Sequence, residues 1–314
     1  MQYLKTYSTI ESAGNLQTPV VSIGFFDGVH RGHQYLLKQL IDEATKRNCD
    51  HLLISMWPHP SAVTGNHSLN NFLLSTLEEK TNRFESTGIK NLLLLDFSTE
   101  LAGLSSEIFV KNVLKKKLSV SALLMGFNNT FGNKTSSSSD FEVICNSNNI
   151  ELLKAKPCCT DQSDIKVSSS SIRQLIRNGN FSEGNSWLGY NYFWKGTVSD
   201  GYKIGRTLGF PTANLVANNR EKVLPSDGVY LIYAKIENQS FPALLNIGNR
   251  PTFNGSERSI EVHILNFNKD IYKMDCEIEF IEKIRNEKRF ETVDALKLQL
   301  SKDLEYAERY FELG

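Results

Sequence analysis

Apolar residues follow two different spacings in the two parts of this chain. In the first part, short apolar runs alternate with segments in which apolar residues recur every three or four positions. The runs stand at 20–23, 52–56, 92–95 and 122–125, and the helical spacing is clearest over 36–44 and 106–116. Parallel strands are buried on both faces and are joined by helical crossovers, so this alternation predicts a doubly wound parallel sheet. Ligands of such sheets bind at the carboxyl ends of the strands.

The pattern changes near Ser186, after which short β-prone runs are separated by Gly, Pro, Asn and Asp. These runs stand at 195–198, 228–233, 243–247, 259–265 and 276–281. Their spacing predicts a small antiparallel β-barrel. Six apolar positions from Val293 to Phe311 then recur at helical spacing and predict a closing helix on the barrel. The expected fold class is α/β plus β, with domains over 1–186 and 187–314.

Composition narrows the class of protein. A chain of 314 residues is long for one core, which agrees with two domains. Its 35 basic and 35 acidic residues balance, so we expect no nucleic-acid partner. The apolar runs are far shorter than the ~20 residues that span a bilayer, and no signal-peptide core is visible, so we expect a cytoplasmic protein without a membrane partner. Five cysteines without a Cys-x-x-Cys pair predict reduced thiols.

The segment 23–33 lies between the first predicted strand and the first predicted helix. It reads Ile-Gly-Phe-Phe-Asp-Gly-Val-His-Arg-Gly-His. Its three glycines permit tight backbone paths, and His30 and His33 stand three positions apart at the helix start, where phosphates bind in α/β folds. Two imidazoles there are suited to donating hydrogen bonds to a triphosphate. The alternative is that the histidines only cap the helix or hold a structural metal.

This segment resembles the signature of the HxGH nucleotidylyltransferases and, in its full length, their bacterial FAD synthetase branch. Three more segments are similar to that branch: Pro-His-Pro at 58–60, Gly-Phe-Asn-Asn-Thr-Phe-Gly at 126–132, and Val-Ser-Ser-Ser-Ser-Ile-Arg at 167–173. The resemblance implies catalytic roles for His30 and His33. It further implies ATP binding by Gly24, Phe26, Asp27, Ser168, Ser169, Ser170 and Arg173, and flavin binding by Pro58, His59, Asn128 and Phe131. Asn129 and the serine-rich stretch after Gly132 depart from the family pattern.

A second glycine-bearing segment, 201–214, reads Gly-Tyr-Lys-Ile-Gly-Arg-Thr-Leu-Gly-Phe-Pro-Thr-Ala-Asn and is not a P-loop. In a strand, Thr212 and Asn214 face the same side and can both offer oxygens to one Mg²⁺ with its phosphates. The alternative is a Gly-rich hairpin in which both side chains satisfy the turn.

The segment 201–214 closely resembles the MgATP motif of riboflavin kinases, and four later segments follow in that family's order: 224–230, 246–253, 261–263 and 284–290. The resemblance implies that Glu261 is the catalytic base. It also implies ATP binding by Gly205, Arg206, Thr212 and Asn214, Mg²⁺ binding by Thr212 and Asn214, and flavin binding by Arg285 and Glu287.

Together the motifs resemble the bifunctional bacterial riboflavin kinase/FMN adenylyltransferases along nearly the whole chain. That resemblance implies an enzyme, monomeric or weakly oligomeric, whose ligands are riboflavin, FMN, FAD and ATP with Mg²⁺. Three alternatives stay open. In the first, the N-terminal domain serves another adenylyl acceptor, nicotinamide mononucleotide or phosphopantetheine. In the second, that domain is a degenerate nucleotide-binding or scaffolding module beside an active kinase. In the third, the whole chain is a non-catalytic flavin carrier.

Overall fold

The computed structural model describes residues 3–63, 72–126, 138–157, 167–199, 209–252 and 255–312. The chain divides into two compact units. The first comprises Met1–Leu69 with Leu74–Ser169, and the second comprises Asn70–Leu73 with Ser170–Gly314. Among the described residues, no helix is long and apolar enough to cross a membrane.

The first unit is built on a six-stranded, all-parallel sheet. Its strands are β1 (Lys5–Tyr7), β2 (Val20–Gly24), β3 (His51–Trp57), β4 (Asn91–Asp96), β5 (Ala122–Met125) and β6 (Glu151–Lys154). Their order is β1-β4-β3-β2-β5-β6. The direction of winding reverses between β2 and β5, and such a switch point is where open α/β sheets bind ligands.

Helices cover both faces of this sheet. They are α1 (Arg31–Lys46), α2 (Pro60–Val63), α3 (Leu77–Ser86), α4 (Thr99–Gly103), α5 (Ser106–Ile108), which continues as a π-helix over Phe109–Lys117, and α6 (Ser138–Ser147). One core cluster joins the sheet to α1 and α3 through residues such as Leu37 and Phe84. A separate cluster joins it to the π-helix and α6 through Val110 and Phe141. Two apolar layers on one parallel sheet are the doubly wound arrangement that the sequence predicts.

The second unit contains a closed antiparallel barrel. Its strands are β7 (Phe193–Ser199), β8 (Ala213–Ala217), β9 (Gly228–Ile236), β10 (Gln239–Thr252), β11 (Gly255–Ile264) and β12 (Asp275–Asn286), in the order β10-β11-β8-β7-β12-β9. The same unit includes all but the first residue of α7 (Ser169–Asn178), α8 (Phe181–Leu188) and the closing helix α9 (Val293–Tyr310). Phe181 of α8 stacks on Phe280 of the barrel with ring centroids 4.7 Å apart.

The closing helix packs on the barrel through its second half. Ala307, Leu304 and Phe311 join Leu231 and Leu244 in one cluster. Val293, at the first position of the predicted apolar face, is 58% exposed, so the expectation that the whole face packs is wrong at its start. Helical spacing identifies a face, but it does not determine how much of the helix length finds a partner.

The fold class, α/β plus β with a closing helix, is confirmed. Helical spacing over 106–116 does not distinguish types of helix, and the segment after Ile108 is a π-helix. The functional division at 186/187 stays a proposal, since α8 and most of α7 belong to the same compact unit as the barrel.

Candidate active sites

The turn that follows β2 has a demanding backbone. Phe26 and Val29 have φ angles of 53° and 38°, in the left-handed region that costs a side-chain-bearing residue about 1–2 kcal/mol. Both side chains are buried in the core. The Phe26 ring contacts His33 and Phe84 edge-on, with centroids 5.1 and 5.9 Å apart. Packing therefore compensates for an unfavourable backbone directly before α1.

His30 and His33 lie together at the start of α1. Their rings are stacked, with centroids 3.6 Å apart and planes inclined by 18°. His30 is the N-cap of the helix, and its Nδ1 accepts from the His33 amide at 3.3 Å. A Cβ at Gly32 would lie 3.2 Å from the His30 ring, so the glycine leaves room for the ring to fold back over the helix. The spacing His-x-Gly-His thus has a geometric reason.

His33 is held in its neutral form. Burial, followed by the neighbouring His30 and Lys80, holds the pKa of His33 well below its usual value. Its Nδ1 is buried and has no hydrogen-bond partner among the described residues. A neutral imidazole can still donate one hydrogen bond, so the pair can bind an anion without carrying a full positive charge.

Asp27 is engaged by the segment that leads into α3. Its carboxylate accepts from the Leu74 amide at 3.1 and 3.0 Å and from the Ser75 amide at 3.1 Å. The Ser75 hydroxyl accepts from the Gly28 amide at 3.0 Å, and Ser169 donates to the Asp27 carbonyl at 3.0 Å. Asp27 is only 5% exposed. Its observed contacts fix the turn, and its predicted contact with ATP stays a prediction.

Lys80 is a site residue that the sequence analysis missed. Its ammonium donates to the Phe25 carbonyl at 3.1 Å, the Ser55 hydroxyl at 3.1 Å and the Met56 carbonyl at 3.2 Å. Only 2% of Lys80 is exposed, and burial lowers its pKa to about 8. The helix that carries it begins with a capping box formed by Thr76 and Glu79, a pattern that can be read from the sequence.

The other predicted residues of the nucleotidyl site are described in part. His59 follows β3, and its ring contacts that of Phe25, with centroids 5.4 Å apart. Pro58 precedes it in the same turn. Arg173 belongs to the second unit, where it stacks on Phe72 at 4.3 Å and lies 3.5 Å from the Ser170 hydroxyl. Asn128 and Phe131 lie outside the described residues, and the predicted roles of Gly24 and Ser168 remain predictions.

In the second unit, β8 and β11 bring the predicted kinase residues together. Glu261 is paired directly with Asn214 across these strands, and Thr212 donates to Glu261 Oε2 at 3.3 Å. On its other side Glu261 is paired with Asn246 of β10, which the sequence analysis did not single out as a site residue. Directly paired residues share a face of a sheet, so a carboxylate lies between two amides. Gly205 and Arg206 lie outside the described residues.

Arg285 and Glu287 stand at the end of β12. Arg285 donates from Nε and Nη2 to Asp303 of α9, at 3.0 and 2.7 Å, and Gln299 supports that carboxylate at 2.8 Å. A Cβ at Gly248 would lie 2.2 Å from the Glu287 carboxylate, so this glycine leaves space for it. Arg285 is thus oriented by the closing helix, and flavin binding by both residues stays a prediction.

Known proteins match both units. Residues 13–171 match the FAD synthetase family model, and residues 188–311 match the riboflavin kinase model. The bifunctional riboflavin kinase/FMN adenylyltransferase of Bacillus subtilis is 34% identical over 300 residues, covering 93% of this chain and 92% of the relative. That of Escherichia coli K12 is 32% identical, covering 94% and 93%. A crystal structure described as a macrolide-efflux protein from Streptococcus pneumoniae is 30% identical, with a TM-score of 0.85 and coverage of 98% and 99%.

A nucleotidyltransferase unit joined to a flavokinase barrel defines an ATP-using enzyme of flavin nucleotides. Both family models fall in the expected order, and the curated relatives extend along almost the entire chain. The chain belongs to the bifunctional riboflavin kinase/FMN adenylyltransferase family, and the resemblance in its sequence is confirmed.

Proposed function

We propose that this chain makes FMN from riboflavin and ATP in its second unit, and FAD from FMN and ATP in its first. The observation that carries the proposal is the presence of both family models, each on a unit with its own polar constellation. These are the His30–His33 stack and the Thr212–Glu261 hydrogen bond. An inactive first unit is disfavoured because its histidine pair is fully assembled.

In the adenylyltransferase reaction, a phosphate oxygen of FMN attacks the α-phosphorus of ATP. A new P–O bond forms, the bond from the α-phosphorus to the oxygen bridging to the β-phosphorus breaks, and pyrophosphate leaves. His30 and His33 donate hydrogen bonds to the charge that develops, a contribution worth about 10²–10³ in rate for one well-placed donor. The attacking phosphate oxygen of FMN is already ionised, so the reaction does not require either histidine to transfer a proton.

In the kinase reaction, the 5′-hydroxyl of riboflavin attacks the γ-phosphorus of ATP, and ADP leaves with the bridging oxygen. Glu261 accepts the hydroxyl proton, as one carboxylate does in general phosphoryl-transfer chemistry. Thr212 donates to one oxygen of this carboxylate. That contact orients Glu261.

The donor set of the kinase site fits Mg²⁺. Thr212, directly before β8, and Asn214, on β8, carry neutral oxygens, and Glu261 is bonded to the first and paired with the second. Hard oxygen ligands with room for substrate phosphates are what Mg²⁺ prefers. Thr212 and Asn214 would hold the ion, which neutralises phosphate charge when bound. The small-molecule partners, the absence of a nucleic-acid partner, the cytoplasmic location and the monomeric or weakly oligomeric state stay predictions.

A time course tests the proposal. Purified protein is incubated with riboflavin, ATP and Mg²⁺, and riboflavin, FMN and FAD are separated by chromatography. We expect FMN to appear first and FAD to accumulate from it. FMN without FAD, even when FMN is supplied directly, would leave a kinase with a non-catalytic first unit. No conversion of riboflavin or FMN would contradict both activities.

A further inference from the structure

Lys80 joins two strand ends of the first unit that the sequence otherwise connects only through a helix. The Phe25 carbonyl follows the end of β2 and opens the turn that leads to His30. Ser55 and Met56 are the residues of β3 that precede the Trp57–His59 turn. Gly24 and Ser55 form the last paired position between the two strands, so the ammonium bridges them where the pairing ends.

The position of this ammonium is costly. A buried, desolvated charge is unfavourable unless polar groups surround it, and its three hydrogen bonds to protein oxygens, together with the Trp57 ring 5.2 Å away, offset that cost. Because its donors are occupied and its side chain is 2% exposed, Lys80 is placed to hold protein segments and does not reach substrate.

The two segments that it holds are those predicted to bind different substrates. The turn after β2 carries the histidines for ATP, and the turn after β3 carries His59 for the flavin. Resting on the proposed function, we propose that Lys80 is a positioning residue of the adenylyltransferase, fixing the nucleotide-binding turn against the flavin-binding turn. Each turn keeps its own substrate contacts without Lys80, but their mutual alignment is lost.

The charged surroundings of Lys80 are few. The Asp27 carboxylate, in the turn before α1, favours the protonated form of Lys80. His33 of α1, which is stacked on His30, has its pKa lowered in part by the charge of Lys80. The groups that it contacts on β3 are uncharged. Because burial lowers the pKa of Lys80 to about 8, its proton is lost as the pH rises through that value.

The first test is Lys80→Met, which keeps the length of the side chain and removes the ammonium. We expect kcat for FAD formation from supplied FMN to fall roughly 10- to 100-fold, because small misalignments of reacting groups cost that much, while KM for each substrate changes little. Kinase turnover of the same sample should be unchanged. Lys222→Met is the matched control, since Lys222 is also 2% exposed but donates to the Phe193 carbonyl in the second unit. It should leave FAD formation intact.

The pH profile separates positioning from a loss of folded protein. In the unaltered chain, kcat for FAD formation should decline as the pH rises above about 8, because the ammonium deprotonates, and Lys80→Met should lack this decline. Ser55→Ala removes one acceptor and serves if Lys80→Met does not fold. Since the ammonium then loses a stabilising contact, we expect the decline to begin at lower pH.

The outcomes separate this proposal from the proposed function. If the unaltered chain makes no FAD from FMN, the proposed adenylyltransferase activity is wrong, and so is the role proposed for Lys80 in that activity. If the unaltered chain makes FAD, equal kcat and an equal alkaline decline in Lys80→Met overturn the positioning role. An unchanged profile in Ser55→Ala overturns it in the same way, whereas a kcat loss that Lys222→Met reproduces assigns the effect to folding.

Discussion

The two candidate sites are built in opposite ways. In the first unit, Asp27 and His30 are almost fully buried, and the turn that carries them is held by residues that lie far along the chain, at 74–75, Lys80 and Ser169. In the second unit, Thr212 and Glu261 are half-buried; Glu261 lies on β11, and Thr212 directly precedes the neighbouring strand β8. The geometry of the first site depends on hydrogen bonds from these distant residues, which we call its supports. The geometry of the second site depends on the register of the barrel strands.

This difference predicts which substitutions lower the activity of each site. A register-based site keeps its geometry as long as the barrel forms, because the backbone ladder places each side chain. Changes there act through the reacting groups themselves. A turn held in an unfavourable backbone conformation loses its geometry when its own residues are substituted and also when their distant hydrogen-bond partners are substituted.

The largest effect is expected for Glu261→Gln. Loss of the base should lower FMN formation by about 10²–10⁴, because positioned proton transfer contributes that much. FAD formation from supplied FMN should remain. Both rates are measured on one preparation by separating the flavins. The matched control is Glu277→Gln on β12, whose carboxylate pairs with Lys195 and Lys235, and it should keep full kinase turnover. A kinase that tolerates Glu261→Gln would remove that residue from its role.

A smaller but separable effect is expected for His30→Asn. Asparagine retains an oxygen that caps the helix and removes the imidazole, so stability should change little while FAD formation falls about 10²-fold. His30→Ala should lose the cap as well, at about 1 kcal/mol. Thermal unfolding and FAD formation are compared for both variants. If the two variants were equally stable, the capping contact of His30 would not contribute to the free energy of unfolding. A parallel loss of kinase turnover would indicate a folding defect.

The sequence reveals the register-based site more completely than the turn-based one. The spacing of two predicts that Thr212 and Asn214 lie together; β8 begins between them, at Ala213, and each is beside Glu261, the residue that the family motif adds. The histidine pair is likewise visible from its spacing at a helix start. Both patterns are local, and local geometry is what a sequence encodes most directly.

The supports of the first site could not be predicted in this way. A capping box marks the start of α3, but no local rule connects Lys80 on that helix to the carbonyls of Phe25 and Met56. The short strands β1 and β6 also lack a clear pattern, because three or four residues do not establish a period. Long-range hydrogen bonds to backbone carbonyls leave no residue signature at the acceptor.

The finest test of the contrast is Gly32→Ala. A Cβ there would lie 3.2 Å from Cε1 and Nδ1 of His30, so the ring must shift by a few tenths of an ångström. Alanine also favours the helix by about 0.5–1 kcal/mol over glycine. The two effects have opposite signs: we expect unfolding to require slightly more free energy, while FAD formation falls about 3- to 10-fold because the imidazole is displaced from its aligned position.

Gly103→Ala is the matched control for this change, since a Cβ at that position of α4 would meet no atom within 4 Å among the described residues, its own chain neighbours and helix backbone aside. Its FAD formation should equal that of the unaltered chain. Denaturant unfolding measures the stability of both variants, and flavin chromatography measures their FAD formation. Full FAD formation in Gly32→Ala would mean that the first site tolerates displacement of the His30 ring. The distinction between a support-dependent site and a register-dependent site would then not hold at this position.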